Sequence, residues 1–193
     1  MKRIFTAIDV SDEARAKIAD YIERLRGEFS NLRVGWDKPE KLHLTLKFLG
    51  DINDEELKNL TIAVEETAKK VSNFKLQIIE TGVFPSKKKA RILWLGVKDE
   101  TESLQKLNTI LEAECAARNF AEEKRIFKPH LTVARLREPH KSKELIERHL
   151  QNGFESAEFE VSEIVIYESR LQKAGSIYSV VSKLQLQKNE FRN

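Results

Sequence analysis

The sequence contains little cysteine, proline and glycine, and it has no long run of apolar residues. Its 193 residues include one cysteine, four prolines and seven glycines. A single cysteine, Cys115, excludes an intramolecular disulfide and a cysteine-rich zinc cluster. No apolar run approaches the roughly 20 residues that a membrane-spanning helix needs. No linker rich in glycine, serine or proline divides the chain. We therefore expect one domain, or two small lobes, over residues 1–193, in a reducing cytoplasm without a membrane partner.

The shares of hydrophobic and charged residues indicate a folded chain, and the net charge is compatible with binding of nucleic acid. Hydrophobic residues make up 40% of the sequence and charged residues 34%, which allows a core and a solvated exterior. The net charge of +3 permits an RNA partner without requiring one. Basic residues cluster at 87–91 and 135–143, although such clusters are usually solvated surface. A glycine-rich phosphate loop is missing, so the sequence does not indicate a nucleoside triphosphate site.

One short pattern occurs twice. Residues 43–46 read His-Leu-Thr-Leu, and residues 130–133 read His-Leu-Thr-Val. Polar and apolar residues alternate in both, as in a half-buried strand. Successive side chains of a strand point to opposite faces, so the histidine and threonine of each copy share a face. Each copy therefore presents an imidazole beside a hydroxyl.

The two copies occupy equivalent places in a longer repeat. A predicted strand that starts at residue 3 leads through a helix and a connection to His43. A predicted strand that starts at residue 91 leads through the same elements to His130, 87 residues after His43. Matching element order at a nearly constant offset predicts two αβ units related by a pseudo-twofold axis. Equivalent strands would then face each other and line one central cleft.

Two histidines and two threonines in one cleft suit displacement at phosphorus. Imidazole titrates near neutral pH, so His43 and His130 can supply one acid and one base. The hydroxyls of Thr45 and Thr132 can donate hydrogen bonds to the nonbridging phosphate oxygens. No metal is required when a side chain protonates the leaving oxygen.

The alternatives to a catalytic pair are a structural role and a metal site. A lone histidine or threonine on a strand is usually structural, but two copies in matching units favour function. Zinc would need a further ligand, and neither motif carries a carboxylate at its next positions on the same face. We therefore predict no metal and no cofactor. His140 and His149 lie outside any such context and are predicted to be surface residues.

The chain resembles the two-histidine phosphoesterase superfamily, which is defined by paired H-x-[ST]-x motifs. Within it, the chain is similar to the RNA 2′,3′-cyclic phosphodiesterases, also called 2′-5′ RNA ligases. The matching segments are residues 43–50, 91–96 and 129–135, with Glu168, Ser169, Gly175 and Tyr178 near the end. They follow the family's order over nearly the whole chain.

The resemblance implies a fold, a reaction and a division of roles. The implied fold is α+β and bilobal, with two antiparallel sheets and flanking helices around a central cleft. The implied reaction opens a terminal RNA 2′,3′-cyclic phosphate to a 2′-phosphomonoester. His43 would then protonate the leaving 3′ oxygen, and His130 would activate water. Thr45 and Thr132 would hold the phosphate.

Four further side chains are weaker candidates for the cleft. Regular alternation places Lys47 on the His43 face, where it could meet RNA phosphate or solvent. The same alternation sends Arg135 to the face opposite His130, so Arg135 reaches substrate only if the strand ends or bulges before it. We expect Phe48 to pack in the core, and Tyr178 either to pack there or to lie near the cleft.

Other functions remain compatible with the sequence. The same chemistry in reverse gives an ATP-independent 2′-5′ RNA ligase, acting on tRNA fragments for example. A non-catalytic RNA-binding module would retain the cleft, although it predicts loss of a histidine or threonine, and all four are present. A phosphodiesterase of another small nucleotide is a further alternative, which the basic loops disfavour mildly. We expect a monomer.

Overall fold

Nine strands and four helices make up the described part of the chain. The structure is a computed structural model, and it describes residues 1–151, 153–172 and 175–188. In chain order the elements are β1 (Lys2–Asp9), α1 (Asp12–Glu28), β2 (Val34–Trp36), β3 (His43–Ile52), α2 (Asp54–Ala68), β4 (Phe74–Phe84), β5 (Ile92–Lys98), α3 (Ser103–Ala116), β6 (His130–Leu136), α4 (Lys143–Gln151), β7 (Ala157–Val161), β8 (Glu163–Gln172) and β9 (Gly175–Gln185).

The strands form two antiparallel sheets. The first sheet has the order β3-β1-β8-β9, and the second has the order β2-β6-β5-β4-β7. Every pairing between these strands is antiparallel. The predicted α+β class with two antiparallel sheets is therefore confirmed.

The strand pairs that carry the two motifs have the same register. β1 pairs with β3, and β5 pairs with β6. The facing pairs are Asp9 with His43, Ala7 with Thr45 and Phe5 with Phe48 in the first sheet, and Gly96 with His130, Trp94 with Thr132 and Ile92 with Arg135 in the second. Each residue of one set lies 87 positions from its equivalent in the other. This agreement supports the predicted pseudo-twofold relation between the units.

The two units exchange strands. β4 follows the first unit in the chain but pairs in the second sheet, where β7 joins it. β8 and β9 then return to the first sheet. The sequence pattern predicts one strand over residues 158–167, which is wrong, because Ser162 separates β7 from β8 and the two strands belong to different sheets. It also predicts a connection over 169–175, but residues 169–172 and 175 belong to strands, and residues 173 and 174 lie outside the described residues.

The helices begin at polar caps that the sequence partly predicts. Ser11 caps α1 and accepts a hydrogen bond from the backbone nitrogen of Ala14. For α2 the sequence predicts Asp54 as the cap, which is wrong by one residue. Asn53 is the cap, and it forms a reciprocal capping box with Glu56, which satisfies two backbone donors of the first turn.

A continuous apolar core lies beneath the motif strands. Leu44 and Leu131, the residues between each histidine and its threonine, are fully buried in it. α2 and α3 pack against each other. Cys115 lies on the apolar stripe of α3, which predicts a core position, and its burial confirms that prediction. None of the helices in the described ranges is long and apolar enough to cross a membrane.

Each motif strand contains a β-bulge one residue after its threonine. Leu46 is the extra residue in β3, and Val133 is the extra residue in β6. Because of the bulge, two consecutive residues of each strand face the core. The extra residue is buried, and so is the residue that follows it, Lys47 or Ala134. A bulge inserts one residue into the ladder and shifts the alternation after it. Positions 48 and 135 therefore return to the face that carries the histidines.

The bulge places Lys47 in the interior instead of in the cleft. Its side chain is only 3% exposed, and its ammonium lies 2.5 Å from a carboxylate oxygen of Glu112 on α3. The ammonium also donates to the carbonyl of Ala121 at 2.8 Å. The predicted contact of Lys47 with RNA phosphate was wrong, because regular alternation does not hold across the bulge.

His149 is buried, and its prediction as a surface residue was wrong. It is 0% exposed and lies between α1 and the second sheet. Its Nε2 donates to the carbonyls of Gly82 and Trp94, at 3.0 and 3.2 Å. Nδ1 therefore accepts from the Tyr21 hydroxyl, 2.7 Å away. Burial lowers the pKa of His149, against the opposing effect of the two carbonyls. His140, by contrast, is exposed as expected.

The Lys47–Glu112 pair predicts an asymmetric response to mutation. Glu112→Ala leaves a buried ammonium without its counter-ion, so we expect a loss of about 3 kcal/mol in the free energy of unfolding. Lys47→Met fills the same space with an apolar side chain and leaves Glu112 with access to water, so its cost is expected to be smaller. Urea unfolding of both variants measures the difference. A larger cost for Lys47→Met would contradict the assignment.

The buried imidazole of His149 predicts a loss of stability in acid. Its folded pKa lies below the unfolded value near 6.5, so the unfolded state binds more protons. The contribution of His149 is therefore present above about pH 6.5 and falls as the pH is lowered. His149→Gln removes the titration, so its free energy of unfolding should decline less steeply between about pH 6.5 and 5. Parallel curves for wild type and variant would count against this account.

Candidate active site

The two repeated motifs line one cleft. Its volume is about 400 Å³, and it contains His43, Thr45, His130 and Thr132. The two histidines stand at the starts of β3 and β6, and all four side chains are half-buried. The structure thus brings together the four residues that the repeat predicts to be neighbours.

Each imidazole is held by the backbone in the same way. The Nδ1 atom of His43 lies 2.7 Å from the carbonyl of Lys41, and the Nδ1 atom of His130 lies 2.7 Å from the carbonyl of Lys128. A carbonyl only accepts, so Nδ1 carries a proton in both rings. The Nε2 atom is then the site that gains or releases a proton in each histidine. This tautomer is the one that acid–base chemistry in the cleft needs.

The surroundings of His43 act on its pKa in opposite directions. Burial lowers the pKa and outweighs the other effects, while the Lys41 carbonyl and the carboxylate of Asp9 raise it. Asp9 lies directly across the strand pair from His43. The hydroxyl of Tyr167 donates to the Asp9 carboxylate, at 2.7 and 2.8 Å from its two oxygens. The Tyr167 hydroxyl therefore fixes the position of the Asp9 carboxylate beside His43.

His130 has a different neighbour at the equivalent position. Gly96 lies directly across the strand pair from it, so the paired position itself provides no carboxylate. A carboxylate oxygen of Glu80, which pairs with Gly96 from β4, lies beside that position. Aromatic rings also surround His130. Its ring centroid lies 4.9 Å from that of Phe84, edge to face, and 6.4 Å from that of Trp94.

Two arginines are among the further polar residues that line the cleft. Arg3 and Arg135 both line it, together with the threonines. Arg135 reaches this face because of the bulge at Val133. A bulge before Arg135 is one of the two conditions under which we predict that this residue contacts the substrate. Its guanidinium is half exposed and lies 3.9 Å from the carboxylate of Asp37. The N–H groups of a guanidinium and the O–H group of a threonine can both donate hydrogen bonds to the oxygens of a phosphate.

Aromatic side chains occupy the His43 side of the cleft. The rings of Phe5 and Tyr178 lie 4.9 and 5.3 Å from the His43 ring. Phe48 is 68% exposed and lines the cleft, so the prediction that it packs in the core was wrong. The bulge at Leu46 is again the cause, since it returns position 48 to the open face. Tyr178 lies in the cleft, one of its two predicted positions.

Some residues of the site were not predicted. Asp9, Tyr167 and Arg3 belong to strands without a recognisable motif. Pairing between strands brings Asp9 and Tyr167 close to His43, and it places Arg3 on the lining of the cleft. Asp9 at the end of β1, opposite the first motif histidine, was the one available signal. Within the described ranges, no group of three or more histidine, cysteine, aspartate or glutamate side chains is arranged to hold a metal ion.

The sequence matches one family and a set of similar proteins. Residues 13–173 match the profile of the 2′-5′ RNA ligase superfamily. The RNA 2′,3′-cyclic phosphodiesterase of Methanothermobacter thermautotrophicus is 33% identical over 186 residues, which cover 95% of this chain and 98% of that protein. The enzyme of the same name from Thermotoga maritima is 31% identical over 186 residues, 96% of each chain.

Solved structures have the same fold. A crystal structure from Thermus thermophilus superposes with a TM-score of 0.76 at 24% identity, and covers 97% of this chain and 99% of its own. The structure of E. coli LigT complexed with 3′-AMP gives 0.74 at 23% identity, with 96% of this chain and 98% of its own covered. These two likenesses concern the fold. Because the profile spans most of the residues and the curated relatives cover nearly the whole chain, this protein is a member of the 2′-5′ RNA ligase superfamily.

Proposed function

We propose that this protein hydrolyses a terminal RNA 2′,3′-cyclic phosphate to a 2′-phosphomonoester by acid–base catalysis with two histidines and no metal. The observation that carries this proposal is the matched pair of imidazoles. Both rings have Nδ1 tied to a carbonyl and line one cleft with two threonines. The relatives named RNA 2′,3′-cyclic phosphodiesterase support the choice of substrate.

The chemistry needs one proton on each side of phosphorus. A water molecule attacks the phosphorus atom and gives a proton to Nε2 of His130. The bond to the 3′ oxygen breaks, and Nε2 of protonated His43 gives its proton to that oxygen. The products are a 2′-phosphate and a free 3′ hydroxyl. Thr45 and Thr132 donate to the nonbridging oxygens, where negative charge is concentrated in the transition state.

The surroundings of His43 support this division of roles. Asp9 favours the protonated form of His43, which is the form that an acid needs. Burial acts against it, but an anionic phosphate in the cleft would add a second negative charge near the ring. Gly96, opposite His130, has no side chain, but the Glu80 carboxylate lies beside it. The division of roles therefore rests on the effect of Asp9 on His43 and on the resemblance to the two-histidine phosphoesterases, which implies His43 as the acid and His130 as the base.

We propose an RNA end as the partner, tRNA fragments being one source, and a monomer in the cytoplasm as the working form. Arg135 and Arg3 would contact the phosphate or its neighbour. A second candidate function is ATP-independent 2′-5′ ligation, in which an RNA 5′ hydroxyl replaces water. The match to the 2′-5′ RNA ligase superfamily supports this second candidate. The same pair of imidazoles can catalyse the displacement in either direction.

Removing either catalytic imidazole should abolish most of the activity. With a 2′,3′-cyclic-phosphate oligonucleotide, we expect His43→Ala and His130→Ala each to lower kcat/KM by about 10²- to 10⁴-fold, the usual contribution of general acid–base catalysis. His140→Ala is the matched control, because His140 is exposed and does not line the cleft. Activity of the wild type in EDTA should equal that in buffer. A variant that retains full activity, or wild-type activity lost in EDTA, would refute the mechanism.

A sulfur atom at the leaving position distinguishes the acid from the base. A thiolate leaves without protonation, because a thiol ionises near pH 8.5 and an alcohol does so only at far higher pH. We expect a cyclic substrate with sulfur in place of the 3′ oxygen to restore most of the rate of His43→Ala. The same substrate should leave His130→Ala impaired. Single-turnover rates with both substrates provide the measurement, and the opposite pattern would exchange the two roles.

A further inference from the structure

A second cavity adjoins the cleft on the His130 side. It encloses about 500 Å³, within the roughly 300–1,000 Å³ typical of small-molecule sites. We call it the His130-side cavity. Its lining includes Glu80, Phe84, Trp94, Phe127, Lys128 and His130. Hydrolysis does not need this space, because water is the only reactant that must reach His130.

Two glycines make room for side chains that line the cavity. Gly82 lies opposite Trp94, and a β-carbon there would overlap the indole ring at 2.0 Å. A β-carbon on Gly96 would lie 3.0 Å from both the Trp94 ring and a carboxylate oxygen of Glu80. The missing side chains therefore let the indole lie against β4 and let the Glu80 carboxylate lie beside the residue that pairs with His130.

The walls of the cavity suit a nucleobase. The rings of Phe84 and Trp94 lie 5.3 Å apart at an angle of 33°, and Phe127 lines the same space. Aromatic side chains bind unpaired bases by stacking, whatever the sequence. The Glu80 carboxylate, next to Gly96, can accept hydrogen bonds from the N–H groups on a base edge. Surfaces of this kind are typical of single-stranded RNA sites.

Lysines and glutamates both lie in the segments that flank the lining of the cavity. Lys128 lines the cavity, and exposed lysines at residues 87–89 follow the lining residues Phe84 and Pro85. The loop that reaches His130 carries exposed Lys124 together with exposed Glu122 and Glu123. Lys128 and the neighbouring lysines can pair with the phosphates of an RNA whose backbone extends from the site on this side.

The geometry of displacement decides which RNA can use this side. The attacking and leaving oxygens lie roughly in line through phosphorus. The leaving 3′ oxygen belongs to the ribose of the cyclic end, so that ribose lies towards the acid, His43. The nucleophile enters from the opposite side, beside the base, His130. The His130-side cavity thus lies where the molecule that carries the nucleophile must be.

We propose that the His130-side cavity binds the 5′-terminal nucleoside of an acceptor RNA. This inference rests on the proposed function, including its division of roles. In the reaction, the acceptor 5′ hydroxyl gives its proton to His130 and forms the bond to phosphorus. The bond to the 3′ oxygen breaks, and that oxygen takes a proton from His43. The product is a 2′-5′ phosphodiester with a free 3′ hydroxyl, and no other reactant is needed.

Partition between two products tests the proposal. The wild type is incubated with a 2′,3′-cyclic-phosphate oligonucleotide and an excess of a second oligonucleotide with a 5′ hydroxyl. Phe127→Ala removes a stacking surface, so we expect the ratio of ligated to hydrolysed product to fall about tenfold. The kcat/KM of hydrolysis without acceptor should stay within about twofold of the wild type, because water needs no stacking surface. Glu80→Ala, at an exposed position, should lower the same ratio without affecting folding.

The matched control is Ile177→Ala. Ile177 is 44% exposed and lines the cavity on the His43 side, so the product ratio should not change. The proposal is overturned if Phe127→Ala and Glu80→Ala both keep the wild-type ratio, or if both lower hydrolysis as much as ligation. It is also overturned if the wild type hydrolyses but forms no ligated product, an outcome that leaves the proposed function intact. Absence of both products would instead refute the proposed function.

Discussion

The bulge in each motif strand decides which side chains reach the cleft. Up to the threonine, β3 and β6 alternate regularly, so histidine and threonine share one face and the leucine between them enters the core. The extra residue, Leu46 or Val133, then shifts the alternation. Without this shift Arg135 would point away from the cleft. The same shift forces Lys47 inward, and the Glu112 carboxylate on α3 compensates its charge.

The pseudo-symmetry places the two motifs, and the residues around them differ between the units. His, Leu and Thr are the same in both motifs, but Asp9 corresponds to Gly96, and Phe48 corresponds to Arg135. The proposed acid–base catalysis requires two imidazoles in equivalent positions but with unequal protonation. On this scaffold the Asp9 carboxylate lies opposite His43, whereas aromatic rings and the Glu80 carboxylate line the cavity beside His130.

The sequence predicts the parts of this structure that depend on local pattern. Alternation in residues 43–46 and 130–133 marks both motif strands, and the polar residues before α1 and α2 mark their starts to within one residue. It does not predict features that depend on pairing between distant strands. A bulge is a property of the ladder and not of one strand, so Lys47 and Phe48 were misplaced. His149 was misplaced because its burial results from α1 and the second sheet packing around it.

The symmetric tethering of the two imidazoles has a further consequence. Because Nδ1 is bound to a carbonyl in both rings, neither histidine is limited by its tautomer to one role. In the reverse displacement the acid becomes the base and the base becomes the acid, as microscopic reversibility requires. In the proposed mechanism, the histidines alone therefore do not determine the ratio of hydrolysis to ligation. That ratio depends on whether water or an RNA hydroxyl occupies the space beside His130, and hence on the residues that line this space.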